Sequence, residues 1–328
     1  MGLVPLEISA MGKALPSEPV LSSDLDSQLG KPTGYVQKRS GIVSRSLADA
    51  SVLQADLAAQ ALHNALEKAG WNISEVDLLI SASAIPVQAL PCTATHILRA
   101  AQAPDGMPGF DVNLSCGSFV AALEVASGLL QVGRYRRIAI VSAELASRGL
   151  NWDDEESSYL FADGAACALV QKGDGSQGIL ATRLENHILE GDFCEIRAGG
   201  TRANQRAGMQ EHDFYFKMQG RKVFKIASRF IDGYQEALLQ QAGLGLDKVD
   251  LVIPHQASHL AMQHIHKQLG IPTHKLMDIY ATHGNQVAAS VPTALYEAFR
   301  QQRCKAGDVV MLIATAASVS FAGMILQL

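Results

Sequence analysis

A cysteine at the start of an apolar helical segment is the residue in this sequence best suited to nucleophilic chemistry. Cys116 follows residues 110–114, a short apolar run that predicts a strand, and precedes residues 117–132, which are almost wholly apolar at helical length. The unpaired N–H groups in the first turn of a helix favour a thiolate over a thiol, which makes Cys116 a candidate nucleophile. The alternative is that Cys116 only packs in the core as a small apolar side chain, as a free cysteine often does.

Composition narrows the class of protein. The chain has 328 residues, 48% of them apolar, which is enough for a large core in two domains or two fused halves. A formal net charge of −5 argues against a general nucleic-acid binder. The five cysteines form no CxxC pair and the N-terminus does not resemble a signal peptide, so we expect a cytoplasmic protein.

One uncharged segment has the length of a membrane span. Residues 309–328 are twenty residues without a charge. Polar residues interrupt the segment and β-branched residues cluster at both of its ends, which is typical of two buried strands joined by a turn. We therefore expect no membrane association.

An internal repeat organises the chain. Residues 68–80 match residues 241–253 at an offset of 173, and both copies lead from an amphipathic helix through Ala-Gly into a buried strand. Two further matches follow in the same order, at offsets of 167 and 171: residues 110–122 with 277–289, and residues 138–142 with 309–313. The matches predict a duplicated unit in an α/β fold, with sheets covered by helices on both faces.

The duplication predicts where three polar side chains meet. His255 follows a strand that begins at Asp250, and Asn285 follows a strand that begins near Leu276. Ligands gather where the carboxyl ends of strands open into a crevice, so Cys116, His255 and Asn285 are expected at one rim. The alternatives are a hydrogen-bonded histidine without a catalytic role and an asparagine that only forms a turn.

The spacing of the histidines in this region invites comparison with a metal site. His255 and His259 are four residues apart, and His264 and His266 follow. No acidic or cysteine ligand accompanies them, and Gln256 stands where a metalloprotease motif has its glutamate, so we expect no metal.

Five motifs, in a fixed order, carry a family resemblance. They are DVNLSCGSF around Cys116, FADGAACALV at 161–170, MQGRKVFKIA at 218–227, VIPHQAS around His255 and THGNQVAASVP around Asn285. With them the chain resembles the β-ketoacyl-[acyl-carrier-protein] synthase III family of the thiolase-fold superfamily. The resemblance implies a duplicated thiolase-like α/β fold, five-layered αβαβα with two mixed sheets. The cysteine would lie in an N-terminal half, residues 1–172, and the histidine and asparagine in a C-terminal half, residues 173–328.

The resemblance also implies a reaction. Cys116 would take an acyl group from a thioester, and His255 and Asn285 would stabilise the enolate left when a malonyl thioester, as on malonyl carrier protein, loses carbon dioxide. The backbone N–H groups of Cys116 and Ala317 would hold the oxyanion. The implied substrates are acyl-coenzyme A or an acyl carrier protein thioester, the assembly is a homodimer, and no cofactor is required.

The sequence departs from the family pattern in several places. Residues 314–320 replace a glycine-rich loop, and alanine there would be strained if the backbone needs a positive φ. Tyr35 stands where the family has a tryptophan that stacks on the coenzyme A adenine, and the nearby arginine is kept as Arg39. Glu155, one of four consecutive acids, matches a further family arginine, and its charge would repel coenzyme A phosphates. Two acyl donors therefore remain open: acyl-coenzyme A bound in a different orientation, and an acyl carrier protein.

Acyl choice and partner binding rest on further residues. By resemblance, Leu90 crosses a dimer interface to the end of the partner's acyl tunnel, where the family often has an aromatic residue, so we expect medium-length acyl groups. Lys225 and Lys267 are expected to contact an acidic carrier protein or coenzyme A phosphates. The basic cluster at residues 134–137 is equally well explained as a solvated helix end.

Two other functions remain open. One is an acyltransferase or specialised-metabolite synthase that passes the acyl group from cysteine to another nucleophile. The other is a non-catalytic subunit that shapes a partner's pocket, which the intact cysteine, histidine and asparagine disfavour and the altered loop at 314–320 favours.

Overall fold

The chain alternates strands and helices through both of its halves. The structure, a computed structural model, describes residues 2–188 and 193–328. The first half contains strands β1 (Val4–Pro5), β2 (Glu7–Ala14), β3 (Val20–Leu21), β4 (Ser44–Arg45), β5 (Leu78–Ser81), β6 (Gly109–Asp111), β7 (Arg137–Leu145) and β8 (Asp163–Gln171), and helices α1 (Ser22–Gln28), α2 (Tyr35–Ser40), α3 (Gln54–Ala69), α4 (Thr93–Ala100), α5 (Ser118–Gln131) and α6 (Glu155–Ser158). The second half contains strands β9 (Gly178–Asn186), β10 (Cys194–Glu195), β11 (Lys217–Met218), β12 (Leu251–Pro254), β13 (Val309–Ala316) and β14 (Ser320–Gln327), and helices α7 (Gly220–Ala242), α8 (His259–Gln268), α9 (Tyr280–His283) and α10 (Ser290–Arg300).

The longer strands form two mixed sheets of five. Their strand orders are β2-β8-β7-β5-β6 and β1-β9-β14-β13-β12. The pairs β5–β6, β5–β7 and β12–β13 are parallel, whereas β7–β8 and β13–β14 are antiparallel. The two strands predicted in the uncharged C-terminal segment are thus confirmed as β13 and β14. No helix within the described ranges is both long and apolar enough to cross a bilayer.

Apolar side chains on α5 and α10 fill the space between the two sheets. Phe119 and Leu123 of α5 pack in one cluster with Leu295 of α10 and with residues of both sheets, such as Ile80 and Ile253. A second cluster packs α3 and α4 on the outer face of the first sheet, and a third packs α7 and α8 on the outer face of the second. The layers therefore run αβαβα, and the predicted five-layered fold is confirmed.

The first match of the internal repeat is confirmed in detail. Gly70 and Gly243 both end a helix in the left-handed conformation, with φ of 64° and 70°. Each is followed by a single 3₁₀ turn and then by a buried strand, β5 or β12. The offset of 173 residues therefore holds from the end of the helix to the start of the strand.

The other two predicted offsets are wrong. Leu78 pairs with Ile138 in the first sheet and Leu251 pairs with Val310 in the second, so β7 and β13 correspond at an offset of 172, not 171. Helices α5 and α10 begin at 118 and 290, which gives 172 again, not 167. Runs of similar apolar residues can slide against each other without losing their match, and only backbone pairing sets the register.

Two predicted strands are shorter than expected or absent. The strand at 110–114 is reduced to β6, because Leu114 donates its N–H to Ser118 Oγ instead of to a neighbouring strand. The strand expected to begin near Leu276 is a single bridge between Val252 and Leu276, and α9 follows it. In both segments side-chain oxygens accept backbone N–H groups that would otherwise pair with a neighbouring strand.

Gly284 occupies a conformation that only glycine adopts readily. Its φ is 64° and its ψ is −166°, and an added Cβ would lie 3.0 Å from Ala162 Cβ and 3.2 Å from the Leu160 carbonyl oxygen. We expect Gly284→Ala to lower the free energy of unfolding by about 2 kcal/mol or more, measured by denaturant titration. Gly233→Ala is the matched control, because this glycine lies in α7 with nothing within 4 Å of an added Cβ, and it should gain about 0.5–1 kcal/mol. Equal stability of the two variants would contradict this account of Gly284.

Candidate active site

Cys116 lies in a tight turn between β6 and α5. Asn113 Oδ1 accepts the N–H of Ser115 at 2.9 Å, and Ser118 Oγ accepts the N–H of Leu114 at 2.9 Å. Ser115 has a positive φ of 48°, which is costly for a residue with a Cβ and is held here by these two bonds. The turn therefore fixes the backbone that carries the thiol.

An apolar cluster surrounds the cysteine. It joins the segment after β7 to the short β10–β11 ribbon and to the 3₁₀ turn before α10. Its buried members are Ala146, Leu150, Phe161, Phe216 and Val287, and Ala84, Cys116, Leu160, Cys194, Ile196 and Met218 pack against them. The sequence around Cys194 and Phe216 has no periodic pattern, because residues 193–218 hold only two-residue strands and single turns. This cluster can form the wall of an acyl pocket.

Burial decides the protonation state of the thiol. It raises the pKa of Cys116 well above its usual range, and the neighbouring Cys194 and Glu144 raise it further. The N–H of Cys116 itself opposes the rise but does not outweigh it. The expectation of a thiolate is therefore wrong for the unliganded chain. Helix α5 begins two residues after Cys116, and desolvation of the sulfur outweighs what the helix start offers.

His255 lies directly after β12 and is only 5% exposed. Its N–H donates to the Ile313 carbonyl at 2.8 Å, which extends the pairing of β12 with β13 by one residue. Burial lowers the pKa of the imidazole to about 4, so His255 is neutral at pH 7. Its Nδ1 is buried and has no hydrogen-bond partner among the described residues. A neutral ring of this kind suits hydrogen-bond donation to a developing oxyanion.

Gln256 holds the backbone beside His255 in place. Its Nε2 donates to the Pro254 and Met277 carbonyl groups at 2.8 and 3.1 Å, and its Oε1 accepts the Ile279 N–H at 2.9 Å. Sequence reasoning compared Gln256 only with a metalloprotease glutamate and missed this role. Residues 277–279 are therefore linked to the end of β12 by this fully buried amide and not by the strand predicted near 276.

The amide of Asn285 is held in one orientation. Its Oδ1 accepts the Val287 N–H at 2.9 Å, and its Nδ2 donates to the Ala257 carbonyl at 3.1 Å. Its backbone bonds to Leu160 and Ala162, both at 2.9 Å, which joins the FADG motif to the HGN motif. The oxygen is thus turned toward the protein, and Nδ2 carries a second hydrogen that can be donated to a ligand.

A continuous set of contacts connects the three candidate catalytic side chains. The N–H of Ala257 donates to the His255 carbonyl at 2.9 Å, while the carbonyl of Ala257 accepts from Asn285. Val287, which donates to Asn285, belongs to the apolar cluster that contains Cys116. The backbone of His255 and the side chain of Asn285 are therefore linked to the apolar cluster that contains Cys116.

Tyr35 and Arg39 both contact Glu155. The Tyr35 hydroxyl donates to Glu155 at 2.8 Å, and Arg39 lies 3.4 Å from the same carboxylate oxygen. Lys31, which sequence reasoning missed, lies 2.6 Å from the other oxygen, and both cations sit over the Tyr35 ring. Glu155 is thus neutralised by its neighbours, and it occupies the two side chains that were expected to contact coenzyme A.

The loop at 314–320 carries its strain at a different residue from the one expected. The alanines at 314 and 316 lie in β13, and the residue with a positive φ is Val319, at 47°. Ala317 starts the 3₁₀ turn 317–319, which contacts the strand that carries Cys194. Ala317 as an oxyanion donor remains a prediction.

Lys225 and Lys267 lie exposed on two helices that pack together. The rings of Phe224 and His264 join α7 to α8 with centroids 4.6 Å apart, and Gln268 donates to Asp232 at 2.7 Å. The exposed basic side chains of these helices form what we call the basic face: Arg221, Lys222, Lys225, Arg229 and Lys267. In contrast, Arg137 of the other basic cluster is ion-paired to Glu75 and stacks on Trp71.

His255 lies outside the helix that carries the other histidines of this region. Ser258 caps α8, so His255 precedes the helix and does not share a helical face with His259. His259 bonds to Gln263, and His266 bonds to the Ile271 carbonyl at 2.5 Å. No group of three or more His, Cys, Asp or Glu side chains that could hold a metal occurs within residues 2–188 and 193–328.

Comparisons with known proteins agree with the fold. The sequence model of 3-oxoacyl-[acyl-carrier-protein] synthase III matches residues 110–187, and that of its C-terminal part matches residues 239–328. The β-ketoacyl-[acyl-carrier-protein] synthase III of Syntrophomonas wolfei is 32% identical over 98% of this chain and 97% of its own, and that of Erythrobacter litoralis is 34% identical over 93% of each. The crystal structure of the Aquifex aeolicus 3-oxoacyl-[acyl-carrier-protein] synthase III superimposes with a TM-score of 0.87 at 29% identity, covering 98% of this chain and 100% of its own.

The fold and the matches define an acyltransferase-type condensing enzyme with the thiolase fold. The chain belongs to the 3-oxoacyl-[acyl-carrier-protein] synthase III family. The predictions of this family, of its fold and of an enzyme are therefore confirmed.

The lowered pKa of His255 predicts an unusual pH dependence. The neutral imidazole persists down to about pH 4, so release of carbon dioxide from a malonyl thioester should fall as the pH drops through about 4 and stay level near 6.5. The rate is measured against pH with malonyl-pantetheine, with circular dichroism to confirm folding at each point. His259→Gln, a change on the exposed face of α8, should leave the profile unchanged. An acid limb centred near 6.5 would contradict the assignment of a buried, neutral His255.

Proposed function

We propose that the chain transfers an acyl group to Cys116 and condenses it with a malonyl thioester to give a β-ketoacyl thioester, in fatty acid or related biosynthesis. The observation that carries this proposal is a thiol, Cys116, in an apolar cluster that hydrogen bonds connect to two neutral N–H donors, Asn285 through its side chain and His255 through its backbone. The relatives named above are β-ketoacyl-[acyl-carrier-protein] synthases III. The five cysteines are all unpaired by disulfides, which supports a cytoplasmic location.

In the first half-reaction, the sulfur of Cys116 attacks the carbonyl carbon of an acyl thioester. A carbon–sulfur bond forms to Cys116, the bond to the carrier sulfur breaks, and the thiol proton leaves on the carrier thiol. Because burial keeps Cys116 protonated in the unliganded chain, proton transfer must accompany the attack. The backbone N–H groups of Cys116 and Ala317 are the proposed donors to the oxyanion.

In the second half-reaction, the malonyl thioester loses carbon dioxide. The electron pair of the broken carbon–carbon bond passes to the enolate, whose oxygen accepts hydrogen bonds from His255 and from Asn285 Nδ2. The enolate carbon attacks the acyl group on Cys116, the carbon–sulfur bond breaks, and the sulfur takes up a proton from solvent. Neutral donors suit this step, because they stabilise the enolate oxygen without transferring a proton to it.

The contacts of Glu155 favour a carrier protein as the acyl donor. Tyr35 and Arg39 are the side chains that resemblance assigns to coenzyme A, and both are bonded to Glu155. A coenzyme A nucleotide would have to displace these contacts and then place its phosphates beside a carboxylate. A carrier protein presents its acyl chain without a nucleotide, so it avoids both costs.

A homodimer would complete the acyl pocket. Strand β6 is an edge of its sheet in the described chain, and Phe110 on it is 36% exposed. An unpaired edge with an apolar side chain is a ready site for pairing with a second copy. Leu90 is 83% exposed, which fits a side chain that is covered only by a partner subunit.

Intact-protein mass spectrometry tests the donor and the acyl length together. With acyl groups from two to twelve carbons on either carrier, we expect an adduct on Cys116 that forms faster from acyl carrier protein than from coenzyme A, and faster for medium-length chains than for acetyl. Leu90→Phe should shift the preference toward shorter chains, because the larger ring shortens the tunnel. Cys116→Ala is the control without an adduct.

The same assay separates the alternative functions. Addition of malonyl carrier protein to the acylated chain should release carbon dioxide and a β-ketoacyl product. An adduct without carbon dioxide release would favour an acyltransferase, and the absence of an adduct with every donor would favour a non-catalytic subunit. Preference for acetyl-coenzyme A would overturn the proposed donor class.

The basic face is the proposed docking surface for the carrier protein. Residues 221, 225 and 229 follow one another at helical spacing on α7, and Lys267 lies on the helix that packs beside it. An acidic carrier would be attracted to these charges, and the attraction would weaken in salt. In the cluster at 134–137, Arg137 pairs with Glu75.

Charge reversal tests this docking surface. We expect Lys225→Glu to raise the KM for malonyl carrier protein by about tenfold with little change in kcat, because the lost attraction affects only the encounter of the two proteins. With malonyl-pantetheine, which lacks the carrier, the KM should not change. Lys248→Glu, at an exposed lysine that pairs with Asp247, is the matched control. Equal effects of the two variants would exclude the basic face as the docking surface.

A further inference from the structure

The turn that carries Cys116 has a structural counterpart in the turn that carries Asn285. In each, an asparagine oxygen accepts the N–H two residues later at 2.9 Å: Asn113 from Ser115, and Asn285 from Val287. In each turn the residue that donates this N–H has a positive φ, 48° at Ser115 and 49° at Val287. We call residues 113–118 the Cys116 turn and residues 285–290 the Asn285 turn.

The second hydrogen bond of the two turns is also the same. Ser118 Oγ accepts the N–H of Leu114 at 2.9 Å, and Ser290 Oγ accepts the N–H of Gln286 at 3.0 Å. Every pair of equivalent residues is separated by 172 positions, as are the starts of α5 and α10. The two turns are therefore the same device, used once in each half of the chain.

One carboxylate lies between the two turns. Glu144, on β7, is fully buried, and it accepts the Ala84 N–H at 2.5 Å and the Ile85 N–H at 3.3 Å. The carbonyl of Ala84 in turn accepts Asn113 Nδ2 at 2.9 Å, which connects Glu144 to the Cys116 turn. Residues 287–289 of the Asn285 turn pack against β7, and the backbone of Ala288 acts to lower the pKa of Glu144 against the rise that burial causes, which connects Glu144 to the Asn285 turn.

We propose that Glu144 is a positioning residue whose carboxyl group sets the distance between Cys116 and Asn285, by binding backbone N–H groups beside the Cys116 turn and packing against the Asn285 turn. It does not touch the reacting atoms in this role. The inference rests on the proposed function, because it assigns Glu144 to the geometry of the same two side chains. The charged or titratable groups that act on Glu144 and on Cys116 are Asp163 and Cys194, respectively.

A side chain with several acceptor sites is needed at this position. The N–H groups of Ala84 and Ile85 donate to it and the backbone of Ala288 lies nearby, and a carboxyl group can accept from such donors without offering an N–H in return. The site is apolar on its other sides, so an N–H left without an acceptor there would carry the cost of an unpaired buried donor. Both turns also hold a residue at positive φ, which persists only when the surroundings fix it.

Glu144→Gln tests the proposal. The amide keeps the volume of the side chain but turns an N–H toward backbone N–H groups, so at least one turn should shift. We expect kcat for condensation, per Cys116 that can be acylated, to fall about 10- to 100-fold, because small displacements of reacting groups have effects of this size. The KM for the malonyl thioester should stay within about threefold. Glu124→Gln on α5, whose carboxylate accepts only from Thr182 at 3.3 Å among the described residues, should keep the wild-type kcat.

A double-mutant cycle distinguishes positioning from a merely structural role. Asn113→Ala removes the contact through which Glu144 reaches the Cys116 turn, so its loss of kcat and that of Glu144→Gln should not multiply in the double variant. Multiplied losses, or a kcat unchanged in Glu144→Gln, would overturn the proposal. If Glu144→Gln does not fold, Glu144→Asp takes its place, with a smaller loss of kcat expected because the shorter side chain keeps its carboxyl group. Failure of the wild-type chain to load any acyl group would instead overturn the proposed function.

Discussion

Every backbone N–H buried between the two sheets must have an acceptor. The first N–H groups of a helix have none within the helix, and the site lies where two helix starts receive acceptors from side chains. Helices α5 and α10 are packed on both sides, so neither start can turn to solvent. In each half an asparagine and a serine side chain supply the acceptors, and a residue at positive φ closes the turn. The duplication thus places two equivalent turns side by side, one with a thiol and the other with a carboxamide.

The same burial sets the electrostatics. Cys116 stays protonated and His255 stays neutral, because the protein around each group would desolvate its charged form. Hydrogen bonds to an anion formed in such a place are stronger than they would be in water. The apolar cluster that suits an acyl chain is therefore also the reason that neutral donors suffice for the enolate.

Much of the fold was predictable from the sequence. Apolar periodicity located the long helices, the match of 68–80 with 241–253 indicated the duplication, and the motifs identified the family and the three candidate side chains. These features depend on local pattern or on short contiguous strings of residues. The short turns and two-residue strands around Cys116 carry no such pattern, which is why Phe216 and Cys194 were not found.

Contacts between distant segments were not predictable. Glu144, Gln256 and Lys31 act by bonding to groups far away in the chain, and nothing in their own neighbourhood marks them. The offset of the repeat was misjudged for a related reason, since backbone register is set by pairing and not by similarity of apolar runs. The strain expected at alanine in 314–320 lies at Val319, because residues 314–316 continue β13 and the positive φ falls in the 3₁₀ turn 317–319.

The central claim is that Cys116, His255 and Asn285 act on one bound substrate pair. The most direct measurement is a crystal structure of the acyl-loaded protein with a non-reactive malonyl thioester analogue. The account predicts an acyl group on Cys116 Sγ, and a nitrogen of His255 and Nδ2 of Asn285 both within hydrogen-bond distance of the thioester oxygen of the analogue. Electron density for the acyl group on another residue, or an analogue oxygen bonded to neither side chain, would contradict it.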